Sequence, residues 1–345
     1  MKLAIPALGV GAAYQLLRTS GVDPVRTGAI ESAADAVAAL PLSLIFITAP
    51  FLLITAGAAA AFAYSLEHWW GYRLERRRGS TETLVVSHGL LTRRSKDLEV
   101  RRMRGAELVE TPLLRLARGA RPNAVTTGLS RASSSPGQSQ KALGPGMSRE
   151  EAARVAAAAL DHPDPPPFDR AVLRPHPKAA RRRRVLRGSA AASAAALTAA
   201  AAVVALADPG NSATVTTTAG AVGTPVLAAL AALLLTVPLA SMAALDNYRA
   251  LGNRLTPRYL VTRHGLLQRR TVALEREGIV GWNFRSTYFQ RRTGLFTLTA
   301  TTAAGSGAYS APDMATTDAV DLADRAVPDL LTPFLEHQPA SSLPG

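Results

Sequence analysis

Cysteine is absent from the 345 residues, which excludes disulfides, cysteine nucleophiles, thiolate metal sites and CxxC redox chemistry together. Histidine is nearly as scarce. The six histidines, His68, His88, His162, His176, His264 and His337, stand singly with no HExxH or other i, i+4 spacing, so no metal site is expected. There is no GxSxG, no Walker lysine motif and no GxGxxG after a strand, and Gly305-Ser306-Gly307 reads as a turn. With no catalytic constellation, the sequence points away from an enzyme and calls for no cofactor. Charge, only 19% of residues overall, is missing altogether between Asp35 and Glu67, between Arg187 and Asp208, and between Asp208 and Asp246. Blocks of that length are long enough for a membrane. The lack of carboxylates inside them argues against a proton-coupled transporter, which needs ionisable groups within its bundle.

What is present is apolar, at 48% with a mean hydropathy of +0.10. Residues 36–66 would be about 46 Å long as one helix, enough to cross a roughly 30 Å hydrocarbon core, and read as one span despite Pro41 and Pro50. The alanine-rich stretch 188–207 and the leucine-richer 221–245 read as a transmembrane hairpin around Asp208-Pro209-Gly210-Asn211. Residues 3–17 form a shorter apolar piece, so three or four spans are expected. Arg73 and Arg76 to Arg78 follow the first span, Arg181 to Arg184 and Arg187 precede the second, and Arg249 and Arg254 follow the third. The positive-inside rule then makes a multi-pass cell-membrane protein with its soluble regions cytoplasmic.

An internal repeat organises those regions. Residues 84–117 match 260–293 without gaps at an offset of 176, with 13 of 34 positions identical, where the composition predicts about three. The pairs include His88/His264, Gly89/Gly265, Arg93/Arg269 and Arg94/Arg270. Each copy reads as strands followed by one helix. Tyr259 to Thr262 and Leu266 to Thr271 flank a tight turn at His264-Gly265. Further strands are expected over 278–284, 296–301 and 308–310. In the first copy, Ser148-Arg149-Glu150-Glu151 is a capping box opening a helix to Leu160, and in the second a helix is expected over 317–331. Residues 130–146 read as a Ser/Gly/Pro loop and 161–187 as a Pro/Arg-rich linker. The chain is thus divided into membrane segments at 1–67, a first β-rich unit at 68–160, the linker, a hairpin at 188–245, a second β-rich unit at 246–336 and a tail at 337–345.

Leu-Val-x-x-His-Gly-Leu-Leu-x-Arg-Arg in both copies, with Gln290-Arg291-Arg292-Thr293-Gly294-Leu295-Phe296 in the second, resembles the bacterial membrane-flanked pleckstrin-homology-like (PH-like) domain family of the YdbS/YdbT type. The resemblance covers about residues 36–336. It implies two PH-like domains, each a bent β-sandwich closed by a C-terminal helix, alongside the α-helical transmembrane segments. Larger members often carry three such domains, which implies either a misassigned start or a natural two-copy version. The first copy is expected to hold one extra residue at Leu116 to Ala120 relative to Arg292-Thr293-Gly294.

The net charge of +14 favours an anionic partner, and beside membrane blocks that partner is lipid rather than nucleic acid. Arg76, Arg77, Arg78, Arg181, Arg182, Arg183 and Arg184 serve first as topogenic anchors and next as anionic-lipid contacts. His88, Gly89, Arg93, Arg94, His264, Gly265, Arg269 and Arg270 read as a structural signature. The expected function is a non-enzymatic interaction or scaffold module binding membrane lipids and a protein partner or a second copy, through edge strands and the groove beside the terminal helix. No small-molecule substrate is identified. The alternative is a transport or export-linked subunit contributing to envelope-stress or antimicrobial-peptide resistance.

Overall fold

The computed structural model describes residues 42–128, 141–160, 168, 173–207, 219–328, 330–331 and 333. The expected segment at 3–17 and most of the loop at 130–146 lie outside these. The chain divides into two compact units, residues 1–71 with 88–94, and residues 72–87 with 95–345.

The smaller unit is built on helix α1 (Leu42–Trp69), which accommodates Pro50. Its stretch Pro50–Trp69 is long and apolar enough to cross a membrane. The turn at 88–91 is tied to the end of this helix. Gly89 N–H donates to Trp70 O at 2.8 Å, Leu90 N–H donates to Glu67 O at 3.1 Å, and His88 Nδ1 lies 2.7 Å from His68 O.

The larger unit holds the two repeats. The first runs β1 (Arg73–Arg77), β2 (Thr83–His88), β3 (Arg94–Glu99), β4 (Met103–Glu110), α2 (Pro112–Leu116), β5 (Gly119–Thr126), β6 (Met147–Ser148) and α3 (Arg149–Ala159). A helical pair follows, α4 (Lys178–Ala207) and α5 (Ala219–Arg249). The second repeat runs β7 (Gly252–Leu255), β8 (Tyr259–His264), β9 (Arg269–Glu275), β10 (Gly281–Arg285), α6 (Tyr288–Arg291), β11 (Leu295–Thr301), β12 (Ala308–Ala315) and α7 (Thr316–Ala326). Helices α4 and α5 pack closely, since a Cβ added to Gly188 would stand 3.1 Å from Ala244 Cβ and 3.3 Å from Ala240 O.

Instead of two separate sandwiches, the repeats share a sheet. Strands β1-β2-β3 and β10-β11-β12 each form a three-stranded sheet, and β6-β5-β4-β9-β8-β7 is one six-stranded sheet. Among the described residues no sheet closes into a barrel. The joint is the antiparallel pair β4·β9, with Gly105 opposite Leu274 and Glu110 opposite Arg269. Tyr259 and Val261 of the second repeat sit in the first repeat's core with Leu84, Leu108 and Phe168, and Val125 of the first sits in the second's with Leu274 and Leu298.

Several expectations are corrected in detail. The His264-Gly265 turn is longer than two residues, because β9 begins only at Arg269 and leaves Leu266 and Leu267 exposed on the turn. Glycine is required there, as a Cβ on Gly265 would lie 1.9 Å from Gln268 O. No extra residue exists in the first copy. The position with positive φ is Arg118 (53°) in one and Gly294 (62°) in the other, still 176 apart. The terminal helix of the second copy stops at Ala326, where Val327 turns extended ahead of Pro328. Ser148 caps α3 as expected, accepting from Glu151 N–H at 3.3 Å. The linker is shorter than expected because Arg181 to Arg184 already belong to α4. Only two helices among the described residues, α1 and α5 (over Leu230–Arg249), are long and apolar enough to span, against the three or four expected.

Candidate functional site

An apolar site lies in the second repeat, between its three-stranded sheet and its closing helix. It is a cavity of about 610 Å³. Period-2 alternation along β10 sends Trp282 and Phe284 to the same face, where they meet Phe296 of β11. Thr316 and Val320 of α7 line the opposite wall, and Leu330 and Leu331 close one end. Trp282 Nε1 is buried without a hydrogen-bond partner, and a group of that kind normally finds one. The outer side of β10 is an unpaired sheet edge among the described residues.

The corresponding place in the first repeat is full. Ladder registers equate Phe284 with Leu108, Phe296 with Ala120, and Val320 with Ala153. Leu108 and Ala120 belong to a buried cluster that includes Phe168 of the linker, and Ala153 packs against it. Phe168 is 1% exposed, and its carbonyl accepts from Arg149 Nη2 at 3.1 Å. The edge is full too, since β4 is covered by β9.

Two ion-pair networks hold the repeats and the helical pair together. Asp313 on β12, nearly fully buried and at φ 62°, receives Arg183 and, at 2.8 Å, Arg184 from α4. Gln290 donates to the same carboxylate at 2.9 Å and to Thr297 Oγ1 at 3.1 Å, while its Oε1 accepts from Thr287 N–H at 3.0 Å to cap α6. Burial, with Arg184 nearby, pushes the His176 imidazole down to about 4, and Asp313 only partly opposes this. In the second network, Glu110 takes Arg149 at 2.8 Å and Arg269 at 3.8 Å, and Asp246 of α5 takes Arg115 at 2.5 Å and Arg269 at 3.0 Å. Arg270 reaches Glu107 at 3.3 Å across the joint. Burial raises the Glu107 carboxyl, and the charge of Arg270 counters part of that rise.

The residues expected to touch lipid are therefore split. Arg76 is half-buried, pairs with Glu82 at 3.4 Å and donates to Ala159 O at 3.4 Å, while Arg77 and Arg78 are exposed. Arg181 and Arg182 are exposed on the first turns of α4, but Arg183 and Arg184 are turned onto Asp313. The repeat signature serves different ends in the two copies. His88 is buried against His68 and Trp69, with ring centroids 4.7 and 4.8 Å away. His264 ends β8 opposite Arg270, and burial lowers its imidazole, with Arg270 and Arg184 adding to the effect. Gly89 and Gly265 have positive φ at equivalent turns, whereas Arg269 and Arg270 carry joint charges and Arg93 is exposed. Sequence reasoning missed Glu110, Asp246, Asp313 and Phe168. A signal was available, because Glu110 stands where the other copy has Ser286, and Asp313 stands where it has Gly146.

A family model described as the bacterial PH domain matches residues 25–161 and again 195–330, well over half of the chain. The chain belongs to the bacterial PH domain family. Domains of this kind are in general non-catalytic interaction modules, and here two PH-like domains stand in tandem. No curated protein and no solved structure matches the chain. Among the described residues, no group of three or more His, Asp or Glu could hold a metal ion.

Proposed function

We propose that this tandem PH-like protein is a multi-pass cell-membrane scaffold of the YdbS/YdbT type, with both PH-like domains on the cytoplasmic side and no catalytic role. Its second PH-like domain receives an apolar, aromatic-bearing segment of a protein partner in the groove between β10, β11 and α7. The observation that carries this reading is the contrast between copies. In the first the equivalent residues Leu108 and Ala120 are buried in one cluster with Phe168, which follows Pro165-Pro166-Pro167, while the second, with Trp282 and Phe284 on its wall, is open. A segment of similar chemistry suits it, since proline-led chains are already extended and lose little entropy on docking. The two apolar helices and the arginines beside them support residence at the inner leaflet.

The test uses a photo-crosslinking residue placed at Val320 in the groove, or at exposed Asp321 next to it, in the full chain in cells. The expected result is one stoichiometric protein adduct from position 320, absent from position 321 and lost in a Val320→Glu purification. Solute uptake by proteoliposomes without such an adduct would instead favour the transport reading.

A further inference from the structure

The short helix α2 and the start of α3 enclose a second cavity, about 890 Å³, of opposite character to the groove. Arginines from four places line it: Arg115 of α2, Arg118 after it, Arg149 of α3 and Arg269 of β9. Glu110 and Glu150 also line it. Three of the arginines are accounted for by Glu110 and Asp246, though Arg269 keeps its Nε buried and without a partner, its side chain only 9% exposed.

Arg118 is not accounted for. It forms no ion pair among the described residues, and it occupies a left-handed backbone position, φ 53°, that is costly for a side chain of this size. The second repeat shows what the backbone alone requires. There, Gly294 and Thr316 hold the same two positions, and Thr316 N–H donates to Gly294 O at 3.3 Å just as Arg149 N–H donates to Arg118 O at 3.1 Å. Glycine and threonine suffice for the turn and its hydrogen bond. The first repeat carries arginine at both, and the exposed Arg118 guanidinium is left free to meet a ligand in the cavity it lines.

The surroundings say where the ligand comes from. Arg115 donates to Asp246, in the last turn of the apolar helix α5, and to Leu266 O at 3.0 Å. That holds α2 and the β8–β9 turn at the end of a helix fit to cross a membrane. Both carry bare leucines, Leu113 at 80% exposed, Leu116 at 87% and Leu267 at 70%. Exposed leucines beside a cationic cavity at the end of a spanning helix match the boundary between acyl chains and headgroups.

We infer that this cavity binds the phosphate of an anionic phospholipid from the bilayer that α5 enters, with Arg118 and Arg269 Nε facing the phosphate and Leu113, Leu116 and Leu267 dipping among the acyl chains. The site is independent of the groove and uses none of its residues.

The test is lipid counting by native mass spectrometry on the full chain in detergent, titrated with phosphatidylglycerol or phosphatidylcholine, for wild type and Arg118→Gly. The variant places in the first copy the residue the second already carries, so it folds, and its melting temperature confirms this. Wild type should retain phosphatidylglycerol over phosphatidylcholine, and Arg118→Gly should bind it about fivefold more weakly, the effect of one base near an anionic surface. A Leu113→Asn/Leu116→Asn variant should also lose retention. Equal retention by wild type and Arg118→Gly, or equal binding of the two lipids, would overturn the inference. So would displacement of phosphatidylglycerol by millimolar inorganic phosphate, which would make the cavity a site for a soluble anion.

Discussion

The two repeats share their turn glycines and backbone plan, yet they solve the contact between the short helix and the last strand in opposite ways. In the second, Gln290 and buried Asp313 meet through a hydrogen bond and together anchor Arg183 and Arg184 of α4. In the first, the same two positions are Leu114 and Gly146, and a Cβ on Gly146 would lie 2.9 Å from Leu114 Cδ2. Hydrocarbon over glycine needs no partner. A buried carboxylate does, and it obtains three donors. One copy is thus closed upon itself by packing, while the other uses the same place to grip a neighbouring helix. The difference continues at the groove, buried in a cluster with Phe168 in one and open in the other, and at the sheet edge, covered at β4 and, among the described residues, unpaired at β10.

Breaking the polar clamp should have the largest effect. Asp313→Ala leaves two guanidinium groups and the Gln290 amide facing a buried gap, and losses of that kind cost about 3–5 kcal/mol. A large fall in melting temperature in detergent is expected. The double variant Gln290→Leu/Asp313→Gly rebuilds the first copy's solution and suits the backbone at φ 62°, so it should recover part of the loss. An Asp313→Ala protein that melts like wild type would show the clamp to be idle.

Next to the clamp, His176 adds a pH dependence, with Arg184 and Asp313 as its charged neighbours. His176 is buried with neither ring nitrogen hydrogen-bonded, and its imidazole is lowered from 6.5 to about 4. The unfolded chain therefore binds a proton that the folded site refuses. Stability is complete above pH 6.5 and falls as pH drops towards 4, by on the order of 3 kcal/mol. Melting curves across that window should show the decline in wild type and a flatter profile in His176→Phe. Parallel profiles would remove His176 from the account.

Much of this was legible in the sequence, and the part that was not has a physical reason. The repeat, the order of strands followed by one helix, the Ser148 cap and the turn glycines are local or periodic signals, and each recurs in the fold. The shared sheet left no such trace. Pairing between β4 and β9 is decided by contacts such as Glu107 with Arg270 and Arg104 with Glu275, which lie more than 160 residues apart, and no local window shows both members. The arginine run at 181–184 misled in part because a run of bases beside an apolar block reads the same whether it faces lipid or a buried carboxylate. Only Asp313, 130 residues beyond Arg183, separates the two cases. What the repeat could have offered was some of its exceptions, because Glu110 and Asp313, which hold arginines from elsewhere in the fold, stand where the other copy has Ser286 and Gly146.

The gentlest comparison concerns the joint itself. Gly105 on β4 and Gly281 on β10 are equivalent, but only the first has a strand against it. A Cβ on Gly105 would lie 2.2 Å from Ala273 O of β9, a contact backbone cannot yield to without moving, while one on Gly281 would meet only Thr301 Oγ1 at 3.1 Å. Gly105→Ala should therefore cost about 1–3 kcal/mol, as overpacking does, and should speed amide exchange along β4 and β9 together. Gly281→Ala should be close to neutral. The charges facing each edge disfavour the pairing of β10 with β3 of another copy. In the register of the joint, Arg285 would stand opposite Arg94, and Asp97 opposite Trp282, pairings that repel or bury an unpaired acid. If Gly281→Ala proved as damaging as Gly105→Ala, β10 would have to carry a strand from another molecule, and that argument for a bare edge would fail.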